Sequence, residues 1–380
     1  MDAGLDQVGD EGQQLAFTGT FEDTDSGGGG TPGVFDVLQL TATSDDERFV
    51  DIDGNRAVWQ ASGEIFFFDG TVDPITFAPN IINITGNTSV NETDPHISGD
   101  HIVYLGGGVK AYNITTGTTT VLAPSTVSVA NVDIDGDIAV WSQRSGSWFN
   151  IMMADLSAAT PVAVPVFPFG SGPGATGNQV QPQISGDNII WQAPGVGGYL
   201  DVFIHNLSTG ITTNVSNTPF TDFGHQIDNG VVVWYGDDGS GNDVYVFDGR
   251  AFDGTGTAPT PINIGLAGRS DVVPKVSGAN IVWDSNAEVF LYNLDTAVTT
   301  QLTTSPSTFL TDPDVSGSNI TWSDGNEIFI HNLDTLLTTN LSNSSAIDLT
   351  PIIDGNNVVW LGRASSHPPM SSSPWANPNR

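Results

Sequence analysis

The octapeptide "ISGDNIIW" at residues 184–191 occurs, with small changes, eight times along the chain. Every copy begins with Ile or Val, continues through a cluster of Ser, Asp, Gly and Asn, and ends with an aromatic residue seven positions later. Eight copies that share one internal spacing cannot arise by chance. The other copies are "IDGNRAVW" (52–59), "ISGDHIVY" (97–104), "IDGDIAVW" (134–141), "IDNGVVVW" (227–234), "VSGANIVW" (276–283), "VSGSNITW" (315–322) and "IDGNNVVW" (353–360).

The copies recur at an interval that is typical of repeat proteins. Their first residues lie 37 to 50 residues apart, a period found in propellers and solenoids. Around each copy the chain reads as four strands, which are "PQIS", "NIIWQ", "DVFIHNLSTG" and "ITTNVSN" in the fourth unit. Turns rich in Asp, Asn and Gly separate the strands and supply the positive φ angles that tight hairpins require.

Four antiparallel strands per unit, repeated around an axis, predict an all-β fold of the β-propeller type. We expect the Trp or Tyr that ends each octapeptide to fill the space between adjacent blades. Eight inner hairpins predict eight four-stranded blades. Because the last unit stops after two strands, we expect N-terminal strands from "QQLAFTGTF" (13–21) and "FDVLQLTATS" (35–44) to join the C-terminal blade and close the ring. Seven blades, with one terminal hairpin outside the ring, is the alternative.

The consensus P-x-I-S-G-D-x-I-V-W, followed by D-x-F-x-x-N-L-x-T-G, resembles the TolB-like β-propeller repeats of microbial cell-surface proteins. The N-terminal "DAGLDQVGDEGQQLAFTGTFEDTDS" is similar to the start of a PKD-type immunoglobulin-like module. The resulting organisation is an N-terminal segment at 1–44 that supplies closing strands, propeller repeats at 45–362 and a coil tail at 363–380. This resemblance implies a binding scaffold at a cell surface or envelope.

The composition excludes several classes of partner. The formal net charge is −34, from 43 acidic and nine basic residues, so the chain lacks the clustered Lys and Arg that nucleic acid binding needs. No run of about 18 apolar residues is present, so we expect no membrane insertion. Cysteine is absent, which excludes disulfides and thiolate sites. The start of the sequence does not read as a signal peptide, while nine Asn-X-Ser/Thr sequons favour an extracellular or cell-surface location.

In a propeller, the residue before the first aliphatic position of each octapeptide lies on the wall of the central channel. A mixed polar set of this kind is consistent with a cation or sugar site at the channel mouth. The alternative is a channel wall that is polar only because it is solvated. The residues at this position are Asp51, His96, Asp133, Gln183, Gln226, Lys275, Asp314 and Ile352.

One acidic loop, "GDDGSGND" (236–243), is a candidate calcium site. Asp237, Asp238, Asn242 and Asp243 supply side-chain oxygens within one hairpin, and calcium prefers six to eight oxygen ligands. The alternative is an ordinary Asp/Gly turn. Two similar stretches, "VDIDGN" (50–55) and "VDIDGD" (132–137), lack the glycine position and the bidentate Glu of an EF-hand loop.

The long loops contain aromatic residues outside the repeat register, namely Trp148 in "RSGSWFN" and Phe167 and Phe169 in "VFPFGSGPGATGN". Such rings stack on sugars or pack on protein partners. No catalytic motif such as G-x-S-x-G occurs. We therefore favour a non-catalytic module that binds glycan, envelope or another surface protein through loops on one propeller face. The alternatives are a polysaccharide lyase or glycosidase with its site at the channel mouth, and a structural spacer of a surface layer.

Overall fold

A computed structural model gives the arrangement of most of the chain. The described residues are 13–19, 36–41, 47–86, 89–168, 177–252, 255, 257–304, 311–343 and 347–363. Most of the predicted immunoglobulin-like opening and the tail after residue 363 lie outside this set. Within it, the structure contains 32 strands and one 3-10 turn, at Val196–Gly198.

The strands form eight four-stranded antiparallel sheets. We number the contiguous blades from the N-terminus. The first two strands are β1 (Gln13–Gly19) and β2 (Asp36–Gln39). Blade 1 contains β3 (Arg48–Asp53), β4 (Arg56–Ala61), β5 (Glu64–Val72) and β6 (Pro79–Asn83). Blade 2 contains β7 (Thr93–Ser98), β8 (His101–Leu105), β9 (Val109–Asn113) and β10 (Thr118–Ala123). Blade 3 contains β11 (Val129–Asp135), β12 (Ile138–Ser145), β13 (Trp148–Asp155) and β14 (Val164–Pro165).

The remaining blades repeat the same order from the channel outwards. Blade 4 contains β15 (Val180–Ser185), β16 (Asn188–Pro194), β17 (Leu200–Asn206) and β18 (Ile211–Asn214). Blade 5 contains β19 (Asp222–Asp228), β20 (Val231–Asp237), β21 (Asn242–Asp248) and β22 (Ile262–Asn263). Blade 6 contains β23 (Asp271–Ser277), β24 (Asn280–Ser285), β25 (Val289–Asn293) and β26 (Val298–Gln301). Blade 7 contains β27 (Asp314–Ser316), β28 (Asn319–Ser323), β29 (Ile328–Asn332) and β30 (Leu337–Asn340). The last hairpin is β31 (Ile347–Asp354) and β32 (Asn357–Arg363).

The prediction of eight blades from the eight inner hairpins is wrong for blades that are contiguous in the chain, of which the structure has seven. Seven blades, not eight, are built from four strands that are consecutive in the chain. The eighth inner hairpin, β31–β32, has no outer strands of its own after it within the described residues. It lies in a composite sheet of order β2-β1-β32-β31, in which Ala16 is opposite Trp360 and Leu38 is opposite Phe17.

The aromatic residue that ends each octapeptide is buried, and the prediction that it belongs to the core is confirmed. In five blades the Trp stacks on the aromatic residue opposite it on the third strand, with ring centroids 5.9 or 6.0 Å apart. Burial of rings this large contributes most of the apolar stabilisation between sheets. The buried set, at most 5% exposed, is Trp59, Tyr104, Trp141, Trp191, Trp234, Trp283, Trp322 and Trp360.

The Ser or Asp residue at the second position of each octapeptide has a structural role. Its side-chain oxygen accepts a hydrogen bond from a backbone N–H in the 1–2 turn of the next sheet, at 2.6 to 3.0 Å. These eight bonds run around the whole ring and satisfy turn N–H groups that no strand partner can reach. The acceptors are Asp53, Ser98, Asp135, Ser185, Asp228, Ser277, Ser316 and Asp354.

Every innermost strand also has a residue with positive φ three positions before the octapeptide. In seven of the eight sheets this residue coincides with a shift of register between the first and second strands, which identifies a β-bulge. Only one of the eight residues is glycine, so the other side chains tolerate a left-handed conformation that is costly for them. With φ between 41° and 57°, they are Phe49, Asp94, Asn131, Gln181, Gly224, Val273, Asp312 and Thr350.

Replacement of Thr350 by glycine should therefore stabilise the protein. Thr350 is exposed and β-branched, and its φ is 49°. We expect Thr350→Gly to raise the free energy of unfolding by about 1 kcal/mol, since the left-handed conformation costs a non-glycine residue roughly 1–2 kcal/mol. The matched control is Val298→Gly, at an exposed position of β26 with no positive φ, which should lower it by about 1 kcal/mol. Urea unfolding measures both, and a loss of stability in both variants would contradict the assigned strain.

Candidate functional site

The two ends of the propeller differ in the connections that they carry. The tips of the 2–3 hairpins and the connections from one blade to the next lie at one end, which we call the hairpin face. The 1–2 turns and the 3–4 connections lie at the opposite end, which we call the turn face. The alternation follows from the order of strands in each sheet. Trp148 and Tyr199 are on the hairpin face, whereas Leu336, at a 3–4 turn, is on the turn face.

Three adjacent hairpins extend further than those of the other four contiguous blades. In blade 3 the pairing of β12 with β13 continues four residues past Trp141, to Ser145 opposite Trp148. In blades 4 and 5 it continues three residues past the repeat Trp. In blades 1, 2, 6 and 7 it ends one or two residues past the equivalent aromatic residue. We call the extended hairpins of blades 3, 4 and 5 the raised wall.

Connecting segments join the hairpins of the raised wall. The N–H of Phe149 donates to Asn178 Oδ1 at 3.1 Å, and the N–H of Gln179 donates to the carbonyl of Phe149 at 3.0 Å. Gln179 Oε1 in turn accepts the N–H of Ile151 at 3.2 Å. Between blades 4 and 5, the Gln192 side chain donates to the carbonyl of Asp222. These hydrogen bonds form a rigid frame that holds the hairpin tips in place.

The tips of the raised wall are aromatic and acidic. Trp148 is 44% exposed and Tyr199 is 46% exposed, in contrast to the buried Trp of each repeat. Asp237 and Asp238 are exposed at the tip of blade 5. Arg144, next to Trp148, donates to the carbonyl of Gly146 at 3.3 Å. This combination of flat apolar rings with hydrogen-bonding groups is suited to sugar rings or to a partner protein.

A buried carboxyl group, that of Asp222 on β19, lies beside the raised wall and opposite Gly236 of its blade 5 hairpin. Burial raises the pKa of Asp222 to about 7, and the nearby Asp201 carboxylate acts in the same direction. Hydrogen bonds from Ser216 and Thr218 oppose this effect, with Thr218 Oγ1 at 3.0 Å from Asp222 Oδ2. Asp222 was not identified from the sequence. Its position five residues before the octapeptide, where Asp271 and Asp348 also occur, was the available signal.

The predicted aromatic residues do not share one environment. Trp148 is exposed on the raised wall as expected. Phe167 is half-buried and is not an exposed contact residue, because its ring packs on Trp191 and His205 at centroid distances of 5.5 and 5.0 Å. Phe169 lies outside the described residues. Tyr199, which the sequence did not identify, is at a tip equivalent to that of Trp148.

The predicted channel residues fall into two charged groups. His96 Nδ1 is 3.5 Å from Asp51 Oδ2 and 3.7 Å from Asp133 Oδ1. His96 Nε2 is 3.8 Å from Asp94 Oδ1. Burial lowers the pKa of His96, but these carboxylates outweigh it and raise the pKa well above its usual value of 6.5. Burial also raises the pKa of Asp133 to about 6.

The second group is centred on Lys275. Burial raises the pKa of Asp314 and raises that of Asp312 to about 6, and the charge of Lys275 opposes both shifts. Asp94 and Asp312 were not identified from the sequence, because the positive φ three positions before the octapeptide brings a residue two places before the channel position into the channel group. Gln183, Gln226 and Ile352 occupy equivalent positions on β15, β19 and β31 and join neither charged group.

The candidate calcium loop uses its carboxylates as turn acceptors. Asp237 Oδ1 accepts the N–H of Gly239 at 2.8 Å, and Asp238 Oδ1 accepts the N–H and hydroxyl of Ser240 at 3.0 and 2.6 Å. The Ser240 bonds lower the pKa of Asp238. Asp243 Oδ2 accepts the side-chain amide of Asn263 at 2.8 Å, and Asn242 pairs with Asp237 in the hairpin. Across the described ranges, no group of three or more His, Asp or Glu side chains has metal-site geometry.

Comparisons with known proteins show the fold alone. No protein-family model matches the chain, and no curated protein matches it by sequence. Among solved structures, it is similar to a prolyl endopeptidase (TM-score 0.53, 12% identity, 78% of this chain and 49% of that one). It is also similar to human WBSCR16 (TM-score 0.51, 8% identity, 93% and 100%) and to a putative TolB from Agrobacterium tumefaciens (0.42, 11%, 93% and 99%). The chain thus spans about half the length of the peptidase.

The described part of the chain contains no helix that is long and apolar enough to cross a membrane. The arrangement of its sheets is that of a β-propeller, as the repeats predict, and a fold of this kind is compatible with a binding or scaffold module.

Burial of Asp222 makes the free energy of unfolding of the protein depend on pH. A carboxyl group with a higher pKa in the folded than in the unfolded state binds its proton more tightly when folded, so the free energy of unfolding falls as pH rises from about 4 to about 7. With a folded pKa of about 7, the fall is up to about 4 kcal/mol. We expect Asp222→Asn to lose less stability than wild type between pH 4 and pH 8 in urea unfolding. Asp334→Asn, the same change at an exposed position, should follow the wild-type profile. Parallel profiles for all three proteins would contradict the assignment.

Proposed function

We propose that the chain is a non-catalytic binding module that holds its ligand on the raised wall of the hairpin face. The observation that carries this proposal is the exposure of Trp148. Seven other Trp residues are buried at one repeat position, whereas Trp148 lies at a hairpin tip and is 44% exposed. The core does not require an aromatic residue there, and an exposed Trp ring gains contact area when a ligand covers it.

The chemistry of the raised wall supports a glycan as the ligand. Trp148 and Tyr199 offer flat apolar surfaces for sugar rings, and Asp237 and Asp238 offer acceptors for hydroxyl groups. Propeller binding sites commonly gather on loops that a rigid frame holds in place, and the bonds of Asn178 and Gln179 provide such a frame. The net charge of −34 disfavours nucleic acid. A glycan of a cell envelope, bound at an extracellular or cell-surface location, is consistent with these features.

The channel supports a structural role better than a catalytic one. Asp51 Oδ2 and Asp133 Oδ2 each accept a backbone N–H of the following blade, at 2.9 and 2.8 Å. Both therefore contribute to contacts between blades. The proposal of a lyase or glycosidase at the channel mouth is the less favoured of the two functions for this reason.

The binding proposal is tested with a panel of neutral and acidic polysaccharides. Retention of the protein and release of products are scored together, with calcium and with chelator. We expect retention without products. Retention should be at least about tenfold weaker for Trp148→Ala, because an aromatic ring that the ligand covers contributes about 1.4 kcal/mol or more to binding. Tyr199→Ala should weaken retention in the same direction.

The matched control is Leu336→Ala, which removes a residue that is 73% exposed on the turn face. It should bind as wild type does. Equal retention of Trp148→Ala, Leu336→Ala and wild type would exclude the raised wall as the binding surface. New reducing ends or unsaturated products would establish an enzyme instead. Weaker retention with chelator would indicate that calcium takes part in binding. The proposed calcium ligands are Asp237, Asp238, Asn242 and Asp243.

A further inference from the structure

One imidazole connects three neighbouring innermost strands. His96 belongs to β7, and its nearest charged neighbours are Asp51 on β3, Asp94 on β7 and Asp133 on β11. The N–O distances are 3.5 to 3.8 Å. The side chains of all four residues are between 21% and 33% exposed, so solvent screens their charges only in part.

The same three carboxylates bond the backbone of the following blade. Asp51 Oδ2 accepts the N–H of Ile97 at 2.9 Å, from blade 1 to blade 2. Asp94 Oδ2 accepts the N–H of Val132 at 3.3 Å, from blade 2 to blade 3. Asp133 Oδ2 accepts the N–H of Ile184 at 2.8 Å, from blade 3 to blade 4. The group around His96 therefore lies at three consecutive contacts between blades.

Above about pH 6, the pKa of Asp133, the charge of this group depends on the proton of His96. Three ionised carboxylates repel one another, and a protonated imidazole between them removes much of that repulsion. The other basic residue at the eight channel positions is Lys275, which interacts with Asp312 and Asp314. The carboxylates of Asp51 and Asp314 also repel each other.

We propose that His96 is a proton-dependent clasp, which holds blades 1 to 4 together at the channel when the imidazole is protonated and loosens them when it is neutral. The clasp is independent of ligand binding on the raised wall. Because the surrounding carboxylates raise the pKa of His96 in the folded state, its stabilising effect is complete below pH 6.5. The effect is then lost as pH rises through the higher folded pKa.

Hydrogen exchange tests the clasp at the bonds that it protects. In His96→Gln at pH 6.5, the N–H groups of Ile97, Val132 and Ile184 should exchange about tenfold faster than in wild type, the factor that corresponds to 1.4 kcal/mol. The internal control is the N–H of Ile353, which donates to Asp314 Oδ2 at 3.0 Å in an equivalent contact that His96 does not reach. Its exchange should not change. Equal acceleration at all four positions without a loss of global stability, or acceleration at none, would overturn the proposal.

Two further measurements remain informative if His96→Gln is globally destabilised. In the NMR titration of wild type, the His96 ring should titrate above pH 6.5, whereas buried His225 should not, since burial lowers the His225 pKa to about 4. His96→Lys restores a positive charge and should recover slow exchange at Ile97 and Ile184. A His96 titration at or below pH 6.5, or fast exchange in His96→Lys that equals that of His96→Gln, would contradict the clasp.

Discussion

The propeller depends on the ring of hydrogen bonds from Ser and Asp side chains to the turns of neighbouring sheets. Each 1–2 turn presents backbone N–H groups at the narrow end of a blade, where no strand is available to pair with them. A side-chain oxygen from the preceding sheet satisfies one of these groups in every turn, including that from Asp354 to Gly54 between the last hairpin and blade 1. Six of the eight bonds are at exposed positions and two are part-buried, so each contributes about 0.5–1.5 kcal/mol at most. The second residue of the octapeptide, Ser or Asp, therefore joins each sheet to the next, while the Trp of the same octapeptide packs between adjacent sheets.

This constraint explains why so much of the fold could be predicted from the sequence. The octapeptide contains the residue that bonds the next sheet, the turn glycine and the core Trp, so its repetition specifies blade after blade. The repeat also explains three of the nine sequons. Asn83, Asn214 and Asn340 end fourth strands, where their Oδ1 atoms accept turn N–H groups, and the sequon hydroxyls accept an N–H of the third strand. These three sequons are thus part of the repeat, and by themselves they carry little information about export.

The features that the sequence did not reveal are those in which one blade differs from the others. The position of positive φ brings Asp94 and Asp312 into the channel groups, and no residue type marks this position, because Phe, Asp, Asn, Gln, Val, Thr and Gly all occupy it. Phe167 could be read as an exposed loop residue until its contact with Trp191 was known. The height of the hairpins in blades 3 to 5 depends on how far two strands continue to pair, and a repeat consensus does not encode that length.

The repeat also provides an internal control for distinguishing residues that serve the fold from residues that do not. Ser fills the ring-bonding position in four sheets and Asp in the other four, so the hydrogen bond requires an oxygen and not a charge. His96 is the one His among eight equivalent channel positions, and Trp148 has no aromatic counterpart at the hairpin tips of blades 1, 2, 6 and 7. A side chain that one blade has and its equivalents lack is not required by the blade architecture. Function in this propeller is for that reason best sought at Trp148 and Tyr199, and regulation of its rigidity at His96.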